Sequence, residues 1–272
     1  MSMLIKGLFA GAVALGGLYV LSTQGRTGHP GLEALKGWNY AHRGLHNENL
    51  PENSMAAFRA ALEKGYGIEL DIHLMADGEL AVIHDTSLKR TAGVDVKITD
   101  LTTADLENYP LEGTEEKIPL FSQVLELYAG KAPLIIELKA DGNHRALVEA
   151  ACRAMEGYTG AYCMESFDPR CILELKKNHP QVIRGQLSEN FLRSDVKLNP
   201  ALKFAMTHNL LNFATKPDFV AYDFGTRRTT PSNFICRRIW DMQGVTWTLR
   251  NTDDHDQALK EDWLPIFEHY EP

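Results

Sequence analysis

Between Ile68 and Leu74 apolar and polar residues alternate strictly, the period of a strand with two unlike faces. Ile68, Leu70 and Ile72 share one face, and Glu69, Asp71 and His73 share the other. Ala76-Asp-Gly-Glu79 is a turn signal, and Leu80-Ala-Val-Ile83 predicts a second, fully buried strand ending at His84-Asp85. A strand normally turns its apolar side chains to the core and leaves scattered polar ones outside. Here the polar face gathers two acids and a histidine. α-Carbons at i and i+2 on a strand lie about 7 Å apart, close enough for Glu69 and Asp71 to hold one hard cation. The wet face of an edge strand would look the same, so the weight falls on the rest of the chain.

From Trp38 onwards short apolar runs alternate with amphipathic segments, the pattern of βα units around a parallel sheet. Trp38-Asn-Tyr-Ala41 predicts a short strand ending in His42-Arg43-Gly44. Asn53 or Ser54 is placed to cap a helix through Lys64, closed by Gly65. Further strands are expected over 133–139, 160–166, 182–187, 218–222 and 245–249. Helices are expected over 102–109, 119–128, 144–156, 169–178, 200–213 and 231–242. Eight strands with helical crossovers fit a (β/α)8 TIM barrel, an α/β fold, better than an open doubly wound sheet. Barrel sites form at strand C-termini. His42-Arg43, Glu69-Asp71, His84, Glu137-Lys139, Ser166 and Trp247 all fall at or near such ends.

The first forty residues read differently. Gly7 to Ser22 is a stretch of sixteen residues without a charge, preceded by Lys6. As a helix it would reach about 24 Å, slightly short of the roughly 30 Å hydrocarbon core. Leu4 and Ile5 lengthen it, and Lys6 can snorkel. We therefore expect residues 1–23 to be a hydrophobic helix that anchors the protein in a membrane. A cleaved signal, which would make the protein secreted, is the next alternative, though no Ala-x-Ala site follows; a surface-lying helix is the third. Residues 24–37, with Gly25, Gly28, Pro30 and Gly31, read as a linker, and 38–272 as the barrel. Lys6 and the terminal amine balance Arg26 and Lys36, so charge does not choose the catalytic side.

A net charge of −8 leaves no basic footprint for nucleic acid. An anionic substrate would need a local positive field, from a metal and a few cations. Cys152, Cys163, Cys171 and Cys236 have no metal-finger spacing and are expected as small buried residues. No protein partner can be inferred.

Taken in order, His42-Arg43-Gly44, Pro51-Glu-Asn-Ser54, Glu69-Leu-Asp71, Asp77-Gly78, His84-Asp85, Glu137-Leu-Lys139, Ser166-Phe167-Asp168 and Trp247-Thr248 resemble the glycerophosphodiester phosphodiesterase family. The likeness runs from Trp38 to the end. It implies a TIM barrel that uses one divalent cation, Mg²⁺ or Ca²⁺, to cleave phosphodiesters. Position by position it implies Glu69, Asp71 and Glu137 as metal ligands and His42 and His84 as the acid/base pair. Arg43 and Lys139 would contact phosphate; Trp247 reads as a wall for the substrate or equally as a filler of the barrel. The implied substrate is a glycerophosphodiester, a deacylated phospholipid hydrolysed to sn-glycerol 3-phosphate and an alcohol. The alternative is a lysophospholipase D- or phospholipase C-type reaction on membrane-derived lipids. Arg250, His73 and the segment Leu187–Phe213 depart from the family pattern or lack a sharp motif.

The chemistry is consistent with those residue types. Three carboxylates without a thiolate make a hard oxygen site, suited to Mg²⁺ or Ca²⁺ rather than zinc. Two imidazoles suit both proton transfers at neutral pH. The residues also have plainer uses: Lys139 as an ion-pair partner of Glu137, Asp85 as an orienter of His84, Asn53 as a helix cap. Glu52 has no assigned role. A Schiff-base lyase built on Lys139 would leave the acids and histidines without a task, and a catalytically dead binding module would have lost some of them.

Overall fold

The structure, a computed structural model, describes residues 3–272, except that the side chains of residues 3–10 and of Ala12 lie outside the description. Among the described residues nine strands form one sheet. They are β1 (Tyr40–His42), β2 (Gly67–Leu74), β3 (Leu80–Val82), β4 (Leu134–Leu138), β5 (Tyr162–Ser166), β6 (Arg184–Ser188), β7 (Phe219–Asp223), β8 (Gln243–Leu249) and β9 (Trp263–Phe267). Eight are parallel and follow one another around a ring that closes through β1, which pairs with both β2 and β9. This is the expected eight-stranded parallel barrel. Its membership differs from expectation: Leu80–Ile83 supplies β3, an antiparallel partner of β2 outside the ring. The eighth barrel strand is instead β9, hidden in the sequence by Pro265, which lacks an N–H and argues against a central strand. Pro265 lies opposite Thr246, beside a register shift between β8 and β9.

Period-two alternation sorts the strand residues into two cores. Ile68, Leu70, Ile72, Leu134, Ile136 and Leu138 face the surrounding helices and meet Phe58, Phe121 and Val124. Tyr40, Ile135, Cys163, Phe219, Val245 and Ile266 fill the barrel. At Gly185 an added Cβ would run into the Phe219 ring, so glycine leaves the space that this ring occupies. One step closer to the strand C-termini the inward positions turn polar. That step carries Asp71 on β2, Glu137 on β4 and Glu165 on β5, and Glu69 lies one inward position earlier on β2, opposite Ile135.

Local signals place most helices. Ser54 accepts from Ala57 N and caps Met55–Glu63, and Asp168 caps Pro169–Asn178, with proline in its first turn. The helix expected over 200–213 divides into Pro200–Thr207 and Asn212–Thr215, and Thr252–Lys260 is a further helix. Three cysteines are buried, Cys152 is partly so, and all four are free thiols.

The segment expected as a linker is packed against the barrel. Arg26 pairs with the buried Asp218 at 2.5 Å and also donates to the carbonyls of Pro180 and Val182. A short 3-10 turn, Pro30–Leu35, follows, and the fully buried Leu35 joins the interior core while accepting from the Tyr40 hydroxyl at 2.6 Å. Glycine and proline here shape a docked turn, and apolar burial fixes it in place. Ahead of it the backbone is helical over Met3–Ser22. The end of this helix is tied down by Trp240 Nε1, which donates to Val20 O at 3.0 Å, and by Tyr19, whose hydroxyl meets His208 at 2.6 Å. The anchor expected over Gly7–Ser22 rests partly on side chains outside the described residues. Among the described residues no helix is long and apolar enough to cross a membrane.

Leu35→Ala should cost about 2–5 kcal/mol, the range for deleting a buried leucine side chain. Denaturant unfolding checks this; an unchanged midpoint would show that the segment is not part of the barrel core.

Candidate active site

β1 ends in a sharp turn. Arg43 and Gly44 both have positive φ, 54° and 81°, and Gly44 fits because an added Cβ would press on Ala57 and Phe58. The turn aims the Arg43 backbone N–H at Glu69 Oε2, 3.2 Å away, and its guanidinium at Asp71 Oδ2, also 3.2 Å away. Asn53 is left-handed as well (φ 55°), donates its own N–H to Arg43 O, and places Nδ2 2.9 Å from Asp71 Oδ2. Left-handed backbone at a non-glycine residue is costly and persists only where its surroundings hold it. Both such residues here touch Asp71. Asn53 is thus a component of the site, and Ser54 alone caps the helix.

β2 and β4 supply the acids in register, Asp71 opposite Glu137. Oxygens of Glu69, Asp71 and Glu137 lie within 4.8 Å of one another, and all three residues are buried. Lys139 Nζ lies 3.0 Å from Asp71 Oδ1 and 2.8 Å from Glu137 Oε1. The electrostatics divide the acids. Burial alone would raise the Asp71 pKa, but the charges of Lys139, Arg43 and His84 hold it well below the usual range. Glu69 is pushed well above, by burial and then by the charges of Asp71 and Glu137. Burial also pushes Glu137 up, to about 7, against the pull of Lys139. Glu165 on β5, opposite Glu137, is a fourth buried acid, raised by burial and by the Glu137 charge. Two cations therefore face more acid than they can neutralise. Carboxylates that repel one another in a dry pocket, all oxygen donors and at chelating separation, fit a hard divalent cation.

Two histidines flank this cluster. His42 Nδ1 lies 2.5 Å from Glu268 Oε2 and its Nε2 lies 3.8 Å from Glu69. His84 Nδ1 lies 2.6 Å from Asp85 Oδ1. Burial would raise Glu268, yet His42, His46 and the Arg250 guanidinium, 2.5 Å away, hold its carboxyl far below the usual range. Glu268 is therefore ionised and can only accept, so His42 Nδ1 carries the proton and leaves Nε2 towards the acids. Asp85 is likewise held low against burial, by Arg90 and His84, and Arg90 also binds Glu52, which in turn binds Arg43. Burial lowers both histidines below 6.5. His42, His46 and Glu268 also cluster closely enough to hold an ion. The His42 hydrogen bond and the Arg250 ion pair already satisfy that carboxylate.

His42, Arg43, Glu69, His84, Glu137 and Trp247 line one cavity of about 190 Å³. A second, of about 230 Å³, opens beside it between His84, Lys139 and Phe167. The structure thus brings together all eight residues singled out in the sequence: His42, His84, Arg43, Lys139, Trp247, Glu69, Asp71 and Glu137. Trp247 stands in the wall, its indole N–H unpaired and its ring edge-on to Phe167 at 5.6 Å. Three residues escaped the sequence reading: Asn53, Glu165 and Glu268. The parity of β5 carried a signal for Glu165, which shares a face with Cys163. His73 is buried and meets His84 O at 3.1 Å, a support for the loop that carries His84.

A closed parallel barrel with acids, two carboxylate-backed histidines and two cations at its C-terminal mouth defines a metal-capable hydrolase-type site. The chain matches the model of the glycerophosphoryl diester phosphodiesterase family over residues 42–267 and belongs to that family. A glycerophosphodiester phosphodiesterase of Caldanaerobacter subterraneus is 33% identical over 158 residues, 54% of this chain and 65% of that one. A lysophospholipase D of Rattus norvegicus is 38% identical over 116 residues, 38% of this chain and 36% of that one. The chain thus aligns with about a third to two thirds of the length of these relatives. Among solved structures, a putative glycerophosphoryl diester phosphodiesterase from Silicibacter pomeroyi has the same fold, with TM-score 0.71, 21% identity and coverage of 89% of this chain and 95% of that one. An Oleispira antarctica phosphodiesterase in complex with sn-glycerol-3-phosphate matches with TM-score 0.70, 18% identity and the same coverages.

Titrating Mg²⁺ or Ca²⁺ into the chain should raise its Tm, by about 2.7 kcal/mol of stability at 100 times Kd. Glu69→Gln should abolish that shift while leaving the cation-free Tm unchanged or higher, because it removes a repelling charge. A lower cation-free Tm with an intact shift would count against the cluster.

Proposed function

We propose that the protein is a metal-dependent glycerophosphodiester phosphodiesterase that releases sn-glycerol 3-phosphate and an alcohol. The observation that carries this reading is the pair of carboxylate-backed imidazoles, His42 at the end of β1 and His84 on the loop after β3, beside one buried acid cluster. Glu69, Asp71 and Glu137 would hold one Mg²⁺ or Ca²⁺. When bound, that ion supplies Lewis-acid stabilisation of the charge that builds on the phosphoryl oxygens. Arg43 and Lys139 sit beside the same acids and add positive charge where the diester's oxygens become more negative, stabilising the transition state more than the ground state. Trp247 closes one side and limits water.

His42 and His84 divide the proton transfers. One neutral Nε2 takes a proton from the attacking water, whose oxygen forms the new bond to phosphorus. The bond from phosphorus to the departing alcohol breaks, its electron pair stays on that oxygen, and the second imidazole supplies the proton. Glu268 and Asp85 fix which nitrogen of each ring faces the substrate and stabilise the charged ring when it forms.

A second reading is supported by one structural feature and one relative. Phe167 borders both the catalytic cavity and a large apolar groove, and the rat relative is named a lysophospholipase D. Monoacyl glycerophosphodiesters would undergo the same bond changes at phosphorus.

Release of glycerol 3-phosphate from deacylated phospholipids, and of acylglycerol phosphate from lysophospholipids, with Mg²⁺ and Ca²⁺ tested separately, checks the reading. His42→Ala and His84→Ala should each lower kcat by roughly 10²–10⁴-fold. Glu268→Gln should lower it by about 10–100-fold and shift the pH profile, as expected for a group that orients a functional imidazole. Chelation should abolish turnover, and the cation should restore it. Full activity in excess EDTA would end the proposal.

For location we infer attachment to a membrane through the N-terminal segment, with the catalytic side open. Support comes from the exposed apolar side chains Val13, Leu15, Leu18 and Leu21. The full chain should float with lipid vesicles, and Leu15→Asp with Leu18→Asp should abolish flotation. A wild-type chain that stays at the bottom of the gradient would remove the inference.

A further inference from the structure

We propose that the groove between the loops after β5 and β6 is an acyl-chain subsite, which makes a monoacyl glycerophosphodiester the preferred substrate class. The inference rests on the phosphodiesterase reading above and deepens it. The groove measures about 790 Å³, against about 190 Å³ for the catalytic cavity. A glycerol, a phosphate and a small headgroup do not need that space. Its apolar lining is Phe167, Phe191, Val196, Leu198, Leu202 and Met206. Of the charged groups at its rim, Asp168 and Arg170 pair with each other at 2.6 Å, and Glu189 remains.

Continuity with the catalytic mouth singles out the occupant. Phe167 lines both spaces, and its ring meets Trp247 edge-on at 5.6 Å on one side and Phe191 at 6.0 Å on the other. A ligand whose phosphate lies between Arg43 and Lys139 therefore meets an unbroken aromatic edge leading into the groove. A chain of methylenes is the chemistry that such a path accepts: beyond the indole N–H of Trp247, the rings of Phe167 and Phe191 offer no polar partner, and each buried methylene returns its transfer free energy. Val196 and Leu202 remain 44% and 37% exposed, apolar surface at a lip that an acyl chain would cover. Water attacks phosphorus as before, so the products are the acylglycerol phosphate and the headgroup alcohol.

The test uses the full chain with its cation, glycerophosphocholine, and a series of lysophosphatidylcholines of rising chain length kept below their critical micelle concentrations. kcat/KM should rise by up to about fourfold per methylene, about 0.8 kcal/mol each, and then level off as the groove fills. Val196→Asp and Leu202→Asp should flatten that dependence, losing at least tenfold on long chains while leaving glycerophosphocholine turnover unchanged. Equal kcat/KM at all chain lengths, with glycerophosphocholine still hydrolysed, would overturn the subsite alone. So would variants that lower both substrates equally. No turnover of either substrate would overturn the phosphodiesterase reading, and the subsite with it.

Discussion

The mouth of this barrel is organised around one buried negative charge. Asp71 is 1% exposed, and an isolated carboxylate at such depth would neutralise itself rather than stay ionised. It stays ionised because Lys139 meets one oxygen and Arg43 and Asn53 meet the other. Each of those partners is held in turn. Lys139 shares its ammonium with Glu137, Arg43 binds Glu52, and Asn53 donates its backbone N–H to Arg43 O. The two left-handed residues exist to keep this arrangement, so local backbone cost is exchanged for a charge that can remain in a dry place. Removing one partner would leave an uncompensated buried ion, which is more damaging than never having built the pair.

The same logic explains why some of the site was legible in the sequence and some was not. The polar face of β2 stood out because Ile68, Leu70 and Ile72 had already claimed the packed face, so Glu69 and Asp71 had no ordinary reason to be on a barrel strand. Asn53 gave no such contrast. An asparagine ahead of a helix looks like a cap, and only the positive φ that turns its amide inward reveals otherwise. Glu268 was hidden one level deeper. Its strand contains a proline, so β9 was missing from the predicted barrel and the residue following it had no place. The count of eight was nonetheless reached, because β3 resembles a buried strand in composition while pairing antiparallel outside the ring. Pattern reports which residues avoid water; it does not report which neighbour they pair with.

The linker illustrates the converse. Glycines and a proline ahead of Trp38 suggested a flexible connection, yet Arg26 and Leu35 carry specific partners on the barrel. Turn-forming residues describe how a segment bends, and whether it is free depends on the one or two side chains it offers to a core. The apolar residues from Phe191 to Met206 formed no motif for a related reason. A surface that accepts methylenes constrains size and polarity, and many sequences satisfy both.

Closure of the ring also has a bearing on how the molecule comes into being. His42 and Glu268 are separated by 226 positions, and their strands are neighbours only when β9 slides in beside β1. During synthesis every other barrel strand is available before that pairing is possible. Until then β1 has an unpaired edge, and the imidazole at its end lacks the carboxylate that selects its tautomer. Such non-local pairing is the slow kind of contact to form. Closing the ring and bringing Glu268 to His42 are therefore the same step.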